Sequence, residues 1–201
     1  MDLPRHWPLP EAADLMAEVL AAYAEPSRRY HDTRHLSEVL DRIEQLRDAG
    51  ERFDATAVVL AAFFHDAVYD GERDAEERSA AWAEDSLQPY VDARTLAEVV
   101  RLVRLTETHD PEPTDRNGRV LSDADLAILA APRERYDEYA ASVRAEYAYL
   151  GDEEFRLGRI HVLEGLLAKD TLFCCAHALE LWESRARANV LRELGDLRPA
   201  L

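Results

Sequence analysis

The segment Val58-Val59-Leu60-Ala61-Ala62-Phe63-Phe64-His65-Asp66-Ala67-Val68-Tyr69 constrains the fold more than any other stretch. Its first seven residues are apolar on every side, which places them in a core rather than along a surface. The run then ends in a histidine and an aspartate, side by side. Taking an aspartate out of water costs several kcal/mol unless it is paired or bound to a metal. The pair therefore reads as half of a metal site or as a helix-end histidine bonded to its neighbour. The dipeptide alone does not separate the two readings.

At 201 residues the chain can bury a substantial core without disulfide staples, and residues 1–201 read as one domain. Only seven glycines are present, and the abundant Ala, Leu, Glu and Arg favour helix over strand, so the expected class is all-α. Cys174 and Cys175 are adjacent, a spacing poorly suited to a disulfide, and they sit in an apolar run over 171–181. They read as small buried hydrophobes of a reducing, cytoplasmic compartment. Met1-Asp2-Leu3-Pro4-Arg5-His6 lacks the apolar stretch of a signal peptide. No apolar run approaches the roughly 18 residues of a membrane span, so a soluble protein with no membrane partner is expected.

The formal net charge is -17, from 24 Lys+Arg against 41 Asp+Glu. Such a surface repels nucleic-acid backbones and argues against a long nucleic-acid partner. A small anion is still admissible where a bound cation reverses the local field.

Cap and breaker residues divide the chain. Pro10 opens an amphipathic helix to residue 23, and Glu25-Pro26-Ser27 breaks it. Val39, Leu40, Ile43 and Leu46 repeat at helical spacing until Gly50. Asp54 caps the helix that ends near His65-Asp66. A turn at Asp70-Gly71 precedes a helix over 74–88, and Asp92 caps the next. Residues 110–119 hold two prolines, a glycine and an asparagine and read as the one long loop, with a capped helix starting at Ser122. Pro132 starts a helix carrying Tyr136, Tyr139, Tyr147 and Tyr149. Two more helices are expected, one ending at 167 and one over 172–194.

His31 and His35 are four residues apart, so on a helix they share a face. That spacing suits two metal ligands, or one ligand and one acid/base, and equally an exposed pair beside Arg28, Arg29 and Arg34. Asp123 and Asp125 are either ligands or helix-capping groups. His6, His161 and His177, like Trp7, Trp82 and Trp182, read as packing or surface residues.

Taken together, a first His, a His-Asp pair and a later Asp, each on a different mainly apolar helix, resemble the HD-domain phosphohydrolases. Tyr30-His31-x-x-x-His35-x-x-x-Val39 also resembles a motif of cyclic-nucleotide phosphodiesterases. The chain is most similar to a group of small bacterial HD proteins described as predicted metal-dependent phosphohydrolases. Further matching motifs are Glu76-Glu77-x-Ser79-Ala80, Thr106-x-x-His109, Asp123-x-Asp125-Leu126-x-Ile128-Leu129, Gly158-Arg159, and Glu183 through Arg187 to Asn189. Ala75 stands where the group carries Asn.

The resemblance implies a helical HD bundle with His35, His65, Asp66 and Asp125 as the metal shell, Asp123 being the alternative fourth ligand. Mixed N/O ligation of this kind suits Mn, Fe, Ni, Co, Zn or Mg. It implies catalytic roles for Asp66 and for His31, the latter as general acid or as a further ligand. Glu76, His109, Arg28 and Arg29 are implied at the substrate, with Arg159 and Lys169 as weaker candidates. His109 has a second implied role, on a second metal. The implied reaction is hydrolysis of a small phosphomonoester or phosphodiester, nucleotide-like, by metal-activated water. Two other readings stand beside it: a metal-dependent nucleotide-sensing module, and an HD-type oxygenase with a di-iron site. An oligomer is admissible.

Overall fold

In a computed structural model, which describes residues 2–72 and 74–198, the chain is all-helical. After two short 3₁₀ turns, at Leu3–His6 and Pro10–Ala12, come α1 (Ala13–Tyr23) and α2 (Thr33–Asp48). Then follow α3 (Ala55–Phe64), α4 (Ala75–Leu87), α5 (Ala93–Leu105) and α6 (Arg116–Leu126). A 3₁₀ segment at Ala127–Ala130 leads to α7 (Arg133–Glu146) and α8 (Asp152–Ala168), and α9 (Ala176–Leu181) and α10 (Glu183–Leu197) close the chain.

The apolar run forms α3, and its position follows from its lack of a polar face. Val58, Leu60, Phe63 and Phe64 are fully buried, and the helix packs against α2, α5 and α6. Cutting Phe63 or Phe64 to Ala is expected to cost about 3–5 kcal/mol, since each fills a space that neighbours on several sides cannot close. Asp54 starts the helix by accepting the Ala57 N–H at 3.1 Å. Among the described residues, no helix is long and apolar enough to cross a membrane.

Three local expectations fail, each because a carboxylate takes backbone donors. His31 does not share a helical face with His35. Asp32, in extended conformation, caps α2 by accepting the N–H groups of Arg34 and His35, so His31 lies before the helix. The loop expected over 110–119 ends early, because Asp115 accepts the Gly118 N–H and starts α6 at Arg116 rather than at Ser122. A Cβ on Gly118 would run into the Asp115 carboxylate and stand 2.5 Å from the end of the Leu105 side chain, so any larger residue would require those side chains to shift.

The expected helix over 172–194 starts late and is then interrupted at Trp182. Leu172 and Phe173 donate their N–H groups to Glu183, and Cys174 and Cys175 donate theirs to Asp123. Helix formation begins only at Ala176. Tyr147 and Tyr149 lie beyond α7, in the connection to α8.

Candidate metal centre

Four ligand-type side chains meet where α2, α3 and α6 converge. His35 lies in the first turn of α2, His65 follows the last residue of α3, Asp66 comes next, and Asp125 is near the end of α6. The two imidazole Nε2 atoms are 3.1 Å apart. Asp66 Oδ2 stands 3.3 Å from His35 Nε2 and 3.0 Å from His65 Nε2. Asp125 Oδ1 is 3.2 Å from the former and 3.6 Å from the latter. Adjacent ligands about 2.1 Å from one ion stand about 3.0–3.4 Å apart in octahedral or tetrahedral geometry, so the separations among His35, His65 and Asp66 fit a shared cation. Asp125 stands beside both imidazoles but outside this group of three, so it would have to move closer to join the same ion.

The tautomer of His65 fits as well. Its Nδ1–H donates to the Ala62 carbonyl at 2.7 Å, which leaves the Nε2 lone pair facing the cluster. Arg28 fixes the loop after α3: its guanidinium donates to the carbonyls of His31, Asp66 and Ala67 at 2.9, 2.6 and 2.9 Å. The Tyr23 hydroxyl accepts the Asp66 N–H at 3.2 Å, and Ser79 Oγ accepts the Val68 N–H at 3.0 Å. The His-Asp pair is therefore held by its backbone as well as by its side chains.

The electrostatics call for positive charge at the centre. Burial alone would lower the His35 pKa, but hydrogen bonds to Asp125 and Asp66 outweigh it and raise it to about 9. His65 is likewise raised against burial, chiefly by the charge of Asp66. Burial would raise both carboxyl groups, yet the His65 charge and the imidazole hydrogen bonds hold Asp66 and Asp125 well below the usual range. Protons on the imidazoles satisfy this field, and so would a divalent cation that displaced them.

His31 stands beside this cluster, its ring centroid 5.6 Å from that of His35. Its Nδ1–H donates to Glu146 Oε2 at 2.7 Å, and Tyr69 stacks on the ring at 4.0 Å. The other oxygen of Glu146 accepts the backbone N–H groups of Arg29, Tyr30 and His31 at 2.8, 2.8 and 3.0 Å. Burial would raise the Glu146 pKa, but these donors and His31 hold it down to about 2. Sequence reasoning missed Glu146. It ends an acid-rich helix 115 residues from His31, and nothing local distinguishes it from its neighbours.

The cluster opens into a cleft of about 690 Å³, whose lining includes His31, Asp66, Glu76, His109 and Asp125. His109 Nε2 is 3.4 Å from Asp125 Oδ2, and its Nδ1 is buried without a partner. Its backbone lies in the left-handed region at φ 47, an uncommon conformation for a residue with a Cβ, and burial lowers its pKa toward the neutral imidazole. Of the residues expected at the substrate, Glu76 and His109 line the cleft, as do the weaker candidates Arg159 and Lys169. Arg28 is buried under its three carbonyls, and Arg29 is exposed and outside the lining. Asp123 faces away from the cluster, accepting the Cys174 and Cys175 N–H groups at 2.8 and 2.6 Å. No family model, curated protein or solved structure matches the chain.

Proposed function

We propose that this chain is an HD-type metal-dependent phosphohydrolase that cleaves a small phosphomonoester or phosphodiester. The observation that carries the reading is the placement of His31, with its Nδ1–H committed to Glu146, in the same cleft as Asp66 and Asp125. That commitment leaves Nε2 as the nitrogen that exchanges a proton with a ligand.

His35, His65, Asp66 and Asp125 would hold the metal. Bound there, a divalent ion would lower the pKa of a water molecule and offset charge on phosphoryl oxygens. The chain's own residues supply the rest. In the hydrolysis, the water gives up one proton to solvent, and its oxygen bonds to phosphorus as the bond from phosphorus to the leaving oxygen breaks. His31 Nε2–H gives its proton to that oxygen, which departs as an alcohol, and the neutral imidazole recovers a proton from solvent. Glu146 fixes the ring by accepting its Nδ1–H, the orienting role a carboxylate plays behind a catalytic histidine. Tyr69, stacked on the ring, restricts its rotation.

The test pairs metal analysis with turnover of phenyl phosphate and diphenyl phosphate in Mn²⁺, esters whose leaving oxygen is basic enough to need the proton. His31→Ala is expected to retain metal and lose about 10²–10⁴-fold in kcat, the usual worth of a positioned proton donor. Asp66→Ala is expected to lose both metal and turnover. Equal metal loss in the two variants would make His31 a ligand and remove the proton donor from the mechanism.

A further inference from the structure

The α8 wall of the cleft has a composition that packing does not explain. Residues Phe155, Gly158, Val162 and Gly165 line it at intervals of three and four, the spacing of one helical face, with Leu166 beside the last. Two glycines in the interior of an exposed helix cost about 1 kcal/mol each relative to alanine. No close packing requires them: a Cβ at Gly158 or Gly165 would meet nothing within 4 Å. Both are exposed toward the open space of the cleft. Their effect is to keep that space wide at the expense of helix stability.

Leu126, Ile128, Val143 and Tyr147 add further apolar surface to the lining. The cations in the lining are already engaged. Arg159 donates to both Glu193 oxygens and to the Tyr139 hydroxyl, and Lys169 Nζ donates to the carbonyls of Thr108 and His109. Among the described residues, the lining adds acidic groups at Glu76, Glu107 and Glu154, beyond Asp66 and Asp125. A chain of phosphates would meet five carboxylates there and a single cation that no carboxylate in these contacts neutralises, Lys169, two of whose three donors are already taken by carbonyls.

We propose that the cleft takes an ester of a single phosphoryl group whose organic portion is uncharged and mainly apolar, of aryl or larger size. The phosphoryl group lies at the His/Asp cluster and the organic portion along the glycine-bearing face of α8. This rests on the phosphohydrolase reading for the role of the cluster, and it departs from the nucleotide-like substrate implied by the sequence resemblance.

The experiment measures binding and turnover separately on the Mn²⁺-loaded full chain. Calorimetry compares 1-naphthylmethylphosphonate, which has no ester bond to cleave, with methylphosphonate. The naphthyl compound is expected to bind at least about tenfold tighter, because the cleft removes its ring surface from water. Gly158→Leu and Gly165→Leu are expected to reduce that ratio at least fivefold while the metal content is unchanged and Tm is level or higher. In turnover, 1-naphthyl phosphate is expected to exceed glycerol 2-phosphate and ATP in kcat/KM, again with the ratio falling in the glycine variants.

Equal binding of the two phosphonates, or a ratio that the glycine variants leave unmoved, would overturn the inference and leave the hydrolase reading standing. A preference for ATP would do the same. Selective phosphonate binding with no hydrolysis of any ester would instead overturn the hydrolase reading while the apolar cleft stood.

Discussion

The two sides of α6 carry an aspartate each, and the pair shows how one residue type acquires two roles. Asp123 and Asp125 are two positions apart, about 200° around a helix, so they face opposite ways. Asp123 is fully buried and meets backbone donors from the segment before α9. Burial pushes its carboxyl up to about 6, against the pull of those two N–H groups. Asp125 is only partly buried and lines the cleft, and His65, His35 and His109 hold it low and ionised. Carboxylate character is common to both, so it does not mark the site. The partners do: fixed N–H groups on one side make a structural joint, and imidazole lone pairs on the other make a place for a cation.

Exchanging the consequences of the two aspartates would break this comparison, and it gives the largest expected effects. Asp125→Ala should lower metal affinity by at least about 100-fold, the upper end even for residues that only support a ligand, while leaving the fold intact. Asp123→Ala should keep the metal in the folded fraction but cost about 2–4 kcal/mol, because two buried N–H groups lose their acceptor. Thermal unfolding would register that as a Tm lower by about 4–16 °C for a domain of this size. Metal loss from Asp123→Ala equal to that from Asp125→Ala would make Asp123 part of the centre.

A subtler substitution sharpens the same contrast. Asp123→Asn preserves shape but turns one acceptor oxygen into an NH₂ group facing an N–H, so about 1–2 kcal/mol should be lost, again without loss of metal. Circular dichroism melts alongside metal analysis would separate the two quantities. A melt as low as that of Asp123→Ala would mean that both oxygens are needed equally.

The difference between the two sides of α6 also marks what could be read in advance. Caps and apolar periodicity are local, so Pro10, Asp54 and Asp92 placed helix starts that the structure reproduces closely. The His65-Asp66 pair was conspicuous because an ionisable dipeptide ends a wholly apolar run. The choice between Asp123 and Asp125 stayed open because both belong to the same helix and their partners lie elsewhere in the chain. The break before α9 was illegible for the same reason: it depends on Asp123 and Glu183, carboxylates at a distance from the donors they hold. Glu146 depends on contacts across the whole bundle, and its own neighbourhood in sequence is ordinary.

Glu146 extends the comparison to acid stability, where the expected effect is smallest. Its carboxylate resembles Asp123 in accepting backbone N–H groups and resembles Asp125 in facing an imidazole. Its folded pKa is about 2, below the ordinary 4.5. A depressed carboxyl pKa means that the unfolded chain takes up the proton first as pH falls. The stabilisation from Glu146 is therefore complete above pH 4.5 and is lost as pH falls toward 2. Glu146→Gln keeps an acceptor for the three N–H groups but cannot ionise, so its stability should fall less across that window. Denaturant melts at pH 6, 4 and 3 would measure the two slopes. Parallel slopes would show that the charge of Glu146 contributes nothing to the folded state. If its role is to orient His31, the same variant should also lower kcat at pH 7 with little change in KM or metal content. A variant that merely loosened the fold would instead lower metal content and kcat together.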